Sequence, residues 1–159
     1  MKTLITLFLI TVGLGCFAQQ TFKKNDLYLE AGGASLFGGL NYERQLTKEP
    51  GLAARIGIGF YTEKAFYLST PIGLHYLFPL NKNKGTFIDA GIATTFTWHD
   101  AKLFNKTNNN ADMDFVNVVP GIGYRKHSLN NVMWRISFSP IINKNVFFPW
   151  LGFSVGKRF

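Results

Sequence analysis

Apolar residues alternate with small or polar ones through most of the chain, most cleanly between Leu52 and Tyr61. There Leu52, Ala54, Ile56, Ile58 and Phe60 fall on one face of an extended segment, and Ala53, Arg55, Gly57 and Gly59 on the other. Successive side chains of a strand point to opposite faces, so this period predicts a strand with one greasy side and one small or polar side. The same reading predicts about eight strands, at Asp26–Ala34, Phe37–Leu46, Leu52–Tyr61, Tyr67–Phe78, Thr86–Trp98, Met113–Arg125, Asn131–Ile141 and Pro149–Phe159. Each is near the roughly 9–11 residues that a tilted strand needs to cross a membrane. Turn chemistry separates several of them, at Lys48-Glu49-Pro50-Gly51, Asn81-Lys82-Asn83-Lys84-Gly85 and Ser128-Leu129-Asn130-Asn131. The longest connection, His99 to Asp112, is polar. No helical period persists, and no linker or second domain is visible.

Prolines mark the weak points of this pattern. Pro71 and Pro120 fall inside predicted strands, where a missing N–H removes a ladder donor, so bulges or frayed pairings are expected there. Pro149 reads as a strand start. A weak internal echo joins Pro71-Ile72-Gly73-Leu74, Pro120-Gly121-Ile122-Gly123 and Pro149-Trp150-Leu151-Gly152, each in an even-numbered predicted strand.

The chain has 159 residues, of which 47% are apolar, 16% aromatic and only 16% charged, with a net charge of +8. That much apolar material excludes disorder, and the charge content lies well below the roughly 25% of an average soluble domain. The beginning differs from the rest. Met1-Lys2, the apolar run Leu4 to Leu14 and Cys16-Phe17-Ala18 read as an export signal spanning 1–18, leaving a barrel domain at 19–159. Lipidation of Cys16 is the competing reading, although Gly13 stands where a lipobox expects Leu. With the signal removed the mature chain has no cysteine, which excludes disulfides and thiol chemistry.

Two closed barrels fit eight alternating strands: a soluble carrier, apolar inside, or a membrane barrel with the reverse arrangement. The positions of the charges separate them. Apart from Lys2 in the signal and Lys157 in the last strand, the lysines lie in the N-terminal lead or in predicted connections. The apolar faces, with Ile56, Ile58, Leu74, Ile92, Ile122, Ile136 and Phe153, are nearly uncharged, Arg44, Asp114 and Lys157 near strand ends excepted. The opposite faces carry Glu30, Glu43, Arg55, Asp89, Arg135 and Arg158 among many glycines. Small residues with a few ions of both signs suit the cramped interior of a narrow membrane barrel. Glu43 and Arg55 lie opposite each other if the second hairpin folds symmetrically about Glu49, which predicts an internal ion pair. Aromatics near strand ends, including Tyr42, Tyr61, Tyr67, Tyr76, Phe78, Trp98, Tyr124 and Trp150, fit interfacial girdles.

The signal, the alternating strands and the ending Leu151-Gly152-Phe153-Ser154-Val155-Gly156-Lys157-Arg158-Phe159 resemble the small, eight-stranded, porin-like outer-membrane β-barrel proteins of Gram-negative bacteria. The resemblance implies an all-β, eight-stranded antiparallel transmembrane barrel in the bacterial outer membrane. It also implies that Phe159, a terminal aromatic, is read by the barrel-assembly machinery. Leu151, Phe153 and Val155 match the alternation of that signal, and Lys157 departs from it.

Candidate chemistry is sparse. His75, His99 beside Asp100, and His127 beside Ser128 are the available imidazoles, and adjacent residues such as His127 and Ser128 usually point apart. A lumenal place for His75 and solvated loop places for the other two are expected. His99, Asp100 and Asp112 match no specific metal spacing, and Gly156-Lys157-Arg158 lacks the rest of a phosphate loop. No cofactor or nucleic acid is expected. The pairs Lys82 and Lys84, Arg125 and Lys126, and Lys102 and Lys106 fall in predicted connections, where they face solvent or lipid headgroups. The expected partners are outer-membrane lipids, the assembly machinery and an unknown extracellular partner of the long loop. A structural or surface-interaction role ranks first, followed by a narrow solute channel and then by a lipid-modifying enzyme.

Overall fold

The computed structural model describes residues 22–62, 66–81, 85–99, 115–143 and 147–159. The expected signal with Cys16, the long connection from Asp100 to Asp112 and the lysines at 82, 84, 102 and 106 lie outside the described residues. The strands are β1 (Asn25–Gly32), β2 (Gly38–Gln45), β3 (Leu52–Thr62), β4 (Phe66–Asn81), β5 (Thr86–His99), β6 (Phe115–His127), β7 (Val132–Phe138), β8 (Ile141–Ile142), β9 (Phe147–Phe148) and β10 (Leu151–Arg158). Each strand from β1 to β6 pairs antiparallel with the next, β7 pairs with β10, and β10 returns to β1. The result is a closed eight-stranded barrel, as the alternation predicted.

The two short strands extend the walls. β8 meets β6 at Val118 and Ile142, which continues the β6–β7 register from Ile122 and Phe138. β9 meets β8 at Ile141 and Phe148, which continues the β7–β10 register. Pro140 and Pro149 face each other on the rung between, and neither can donate to a ladder. The wall is therefore interrupted there, and the next rung is held by Ser139 N donating to Trp150 O at 2.7 Å.

Of the two alternatives expected for Pro71 and Pro120, the structure shows frayed pairing, and neither sits in a bulge. The β3–β4 ladder passes from Ile56–Ile72 to Gly59–Ser69 without a change of register, and the rungs at Pro71 and Thr70 are absent. Pro120 pairs regularly with Ile92, while the β6–β7 ladder stops at Ile122. A proline deletes a donor without inserting a residue, so the pairing frays and the register continues. The register shift on β4 lies between Pro79 and Asn81.

Followed rung by rung from Asp26 through Glu43, Arg55, Gly73, Ala93, Val119, Ile141 and Phe148, the register arrives level with Leu36, ten residues along the chain. The strands are thus tilted, as closure of a barrel requires. One rim carries both chain ends and the β2–β3, β4–β5 and β6–β7 turns; we call it the terminal rim. The other carries the remaining connections and is the loop rim.

The outer wall is apolar. Ile56, Ile58, Leu74, Ile92, Ile122, Ile136, Phe138 and Phe153 are all outward and exposed. Among the described strand residues, only Arg44, Lys126 and Lys157 bring a charge to this face. A wall of this kind is stable only against hydrocarbon, and a closed barrel leaves no backbone edge unpaired there. Aromatic clusters border it at both rims. At the loop rim Phe37 stacks on Trp150 at 6.1 Å and meets Tyr61 edge-on at 5.0 Å. At the terminal rim Tyr76 lies 4.6 Å from Phe78, and Tyr124 lies 5.4 Å from Trp134.

β1 ends because Gly32 takes φ 75°, a left-handed conformation that turns the chain inward. A side chain there would also meet the Leu151 carbonyl. Gly32→Ala is therefore expected to destabilise the barrel by about 2 kcal/mol or more in urea unfolding from lipid vesicles. An unchanged midpoint would contradict this account of the turn.

Candidate functional site: the charged lumen

The inward faces converge on a band of ionic and polar side chains to which every barrel strand contributes. β1 supplies Asp26 and Glu30, β2 Glu43, β3 Arg55, β4 His75, β5 Asp89, β6 Arg125, β7 Arg135 and β10 Arg158. All are buried. Arg55 donates to Glu30 at 2.7 Å, and Arg135 reaches Glu30 at 2.6 Å and Asp89 at 3.2 Å. Arg125 lies 2.6 Å from both Glu43 and Asp89 and 3.5 Å from Asp26, which approaches Arg158 at 3.2 Å. Four carboxylates and four guanidiniums thus form one continuous, electrically balanced chain across the lumen. Balance matters in a space this dry, because an unpaired buried ion is far more costly than a paired one.

Further polar groups complete the band. His75 Nδ1 lies 2.9 Å from Asp89, the lumenal place expected for it. Tyr28 sits between Arg55 and Arg135, whose guanidiniums stand 5.7 and 5.2 Å from its ring centre. Asn41 accepts from Arg55 at 2.7 Å and donates to Ser35 at 2.9 Å. The lumenal glycines make room for these side chains: a Cβ at Gly57 would strike Asn41, one at Gly91 the His75 ring, and one at Gly156 Tyr28. Small and large residues alternate across facing rungs because a narrow barrel cannot hold large ones on every strand.

The predicted lumen residues Glu30, Glu43, Arg55, Asp89 and Arg135 are all brought together here. The predicted ion pair is corrected. Glu43 and Arg55 are register partners, yet Glu43 is bonded to Arg125 and Arg55 to Glu30. In a closed lumen a long side chain reaches the opposite wall as readily as its neighbour, and the pairing gives each of the eight ions an opposite charge. Arg125 itself is moved from a turn facing solvent or headgroups to the centre of the network, because β6 runs to His127. Its parity with Val119, Gly121 and Gly123 already put it on the inward face, and Asp26 and Tyr28 share the parity of Glu30.

At the loop-rim end of the lumen the first connection folds inward. Gly33–Ser35 form a buried 3-10 turn. Ser35 donates to Glu30 from its backbone N at 3.0 Å and its hydroxyl at 2.7 Å. Thr95 donates to the Ala34 carbonyl at 2.7 Å, and Trp150 Nε1 to the Leu36 carbonyl at 3.1 Å. At the terminal rim the N-terminal lead lies across the mouth, with Phe22 4.6 Å from the Arg158 guanidinium and the Lys23 carbonyl accepting from Arg158 at 2.6 Å. Between these ends, a void lined by Arg55, His75, Asp89 and Arg135 measures about 10 Å³, no more than a water requires.

The remaining candidates separate. His127 is buried beside Phe87, ring centres 4.7 Å apart, whereas Ser128 is in the exposed turn, so the two form no catalytic pair; the solvated place expected for His127 is corrected. β6 ends two residues beyond the predicted Arg125, which draws that imidazole into the lumen. Phe159 follows β10 and is exposed, its backbone N donating to Asn25 O at 2.9 Å.

No family model and no curated protein matches the chain. Solved structures do match its fold. The N-terminal β-barrel domain of Pseudomonas aeruginosa OprF superposes with a TM-score of 0.59 at 19% identity, covering 87% of this chain and all of that one. The Yersinia pestis outer membrane protein Ail, in a phospholipid bilayer nanodisc, superposes with a TM-score of 0.56 at 9% identity over the same shares. The fold is that of the small outer-membrane barrels.

The network predicts which ions are energetically linked. Glu43→Gln or Arg125→Met alone is expected to cost about 3–5 kcal/mol, since each strands a buried charge. The Glu43/Arg125 double-mutant cycle, measured by urea unfolding in vesicles, is expected to show coupling above about 1 kcal/mol and above that of Glu43/Arg55. The reverse order would overturn the pairing.

Proposed function

We propose that this outer-membrane barrel is a non-enzymatic scaffold, with both chain ends periplasmic and a closed lumen that stiffens the wall carrying its outer loops. The observation that supports this reading most is the lumen itself. Eight bonded ions fill its middle, and the inward turn Gly33–Ser35 stands over them. A conduit would need a continuous wet path, and an eight-stranded wall is just wide enough for side chains to fill. Binding a partner outside needs the opposite property, a rigid platform for variable loops. The long connection between β5 and β6, polar in sequence from His99 to Asp112, is the contact surface in this reading. Phe159, exposed at the end of the closing strand, is the residue offered to the assembly machinery.

The full chain refolded into planar bilayers is expected to show heat-modifiable migration on a gel without sustained ionic conductance. Stable conductance steps from the folded form would overturn the closed-scaffold reading in favour of a narrow channel.

A further inference from the structure

The outward cations on the barrel wall share a feature that neither the fold nor the scaffold role requires. Lys126 on β6 faces Trp134 on β7, which in turn faces Val155 on β10, and Lys157 lies two residues beyond Val155 toward the terminal rim. Lys157 faces Leu27 on β1, which faces Tyr42 on β2, and Arg44 lies two residues beyond Tyr42 toward the same rim. Each cation is thus two strands and two residues from the next.

The tilt of the barrel converts this stagger into a level line. Going from β1 toward β10, a rung climbs ten residues away from the terminal rim over eight strands, a little more than one residue per strand. Holding one height therefore means stepping about two residues toward the terminal rim for every two strands crossed, and the three cations do so. Strands lie about 4.8 Å apart and rise about 3.3 Å per residue, so two strands and two residues space neighbouring cations by about 12 Å along an arc at one depth. Arg44 and Lys157 are exposed and Lys126 is half-buried. Trp134, Tyr124 and Tyr42 stand among them, the aromatics of an interface. Among the described strands no outward acid faces this arc; the exposed Glu49 belongs to the β2–β3 turn.

Resting on the reading of the chain as a membrane barrel with periplasmic ends, we infer that this arc binds the phosphates of anionic phospholipids in the periplasmic leaflet. A line of cations at a single depth in the headgroup layer is complementary to a plane of phosphates. Lysine and arginine there keep their apolar stems against the acyl chains while their heads reach the interface.

The test uses the full chain refolded into phosphatidylcholine vesicles containing spin-labelled phosphatidylglycerol or spin-labelled phosphatidylcholine, with motionally restricted lipid read by electron spin resonance. The native chain is expected to prefer phosphatidylglycerol by about fivefold or more at low salt, less at high salt. Arg44→Gln/Lys126→Gln/Lys157→Gln is expected to lose that preference, whereas Lys23→Gln/Lys24→Gln/Lys48→Gln, with the same charge change in lead and turn, keeps most of it. Equal loss in both triple variants, or no preference in the native chain, would overturn the arc while leaving heat-modifiable folding intact. Failure of the native chain to fold into vesicles would instead overturn the barrel reading itself. Should the first triple variant not fold, Lys126→Gln and Lys157→Gln singly must each weaken the preference.

Discussion

The structure depends on electrical balance inside a space too narrow for water to supply it. Asp26, Glu30, Glu43 and Asp89 meet Arg55, Arg125, Arg135 and Arg158 with no charge left over, and the bonds run from wall to wall. In a membrane barrel the outer face gains nothing from leaving water for an apolar core. Backbone pairing and the lumen must therefore hold the strands in one arrangement. A network to which each strand contributes ties the barrel across its diameter as well as along its ladders. That arrangement also explains why removing one member is expected to be so disruptive: it leaves a charge with no alternative solvent.

The choice of residues follows from this constraint. Four of the chain's five arginines are lumenal, while no described lysine is buried. A guanidinium offers several donors in a fixed plane and can serve two carboxylates at once, as Arg135 does for Glu30 and Asp89. A lysine has a compact, strongly hydrated head that loses more on dehydration. The glycines are the counterpart of the arginines. Where one strand puts Tyr28, Asn41 or His75 into the lumen, the facing strand offers Gly156, Gly57 or Gly91.

The inward turn at the loop rim joins the network to the backbone. Glu30 accepts from Ser35 in the inward turn as well as from both arginines, so the first connection is fastened to the charged band rather than left to solvent. The rigid part of the molecule thereby reaches up to the rim from which the longer connection departs, while the membrane meets an apolar wall and aromatic borders.

Parity along each strand, the turns between strands and the sorting of charge by face were all legible in the residues, since a period of two is a local property of extended chain. From these followed the barrel, the inversion of solvent, the lumenal place of Glu30, Glu43, Arg55, Asp89 and Arg135, and the facing of Glu43 and Arg55 across one hairpin. Partner choice was not legible. Glu43 takes Arg125, eighty-two positions away, because closing the wall brings the far strand as near as the neighbouring one. The inward turn at Gly33–Ser35 and the common depth of Arg44, Lys126 and Lys157 were likewise decided only by the tertiary structure. The common depth depends on how far the register slips in going once around the barrel, a quantity that no single strand contains, and the turn is held by Glu30, Thr95 and Trp150 from three different parts of the wall.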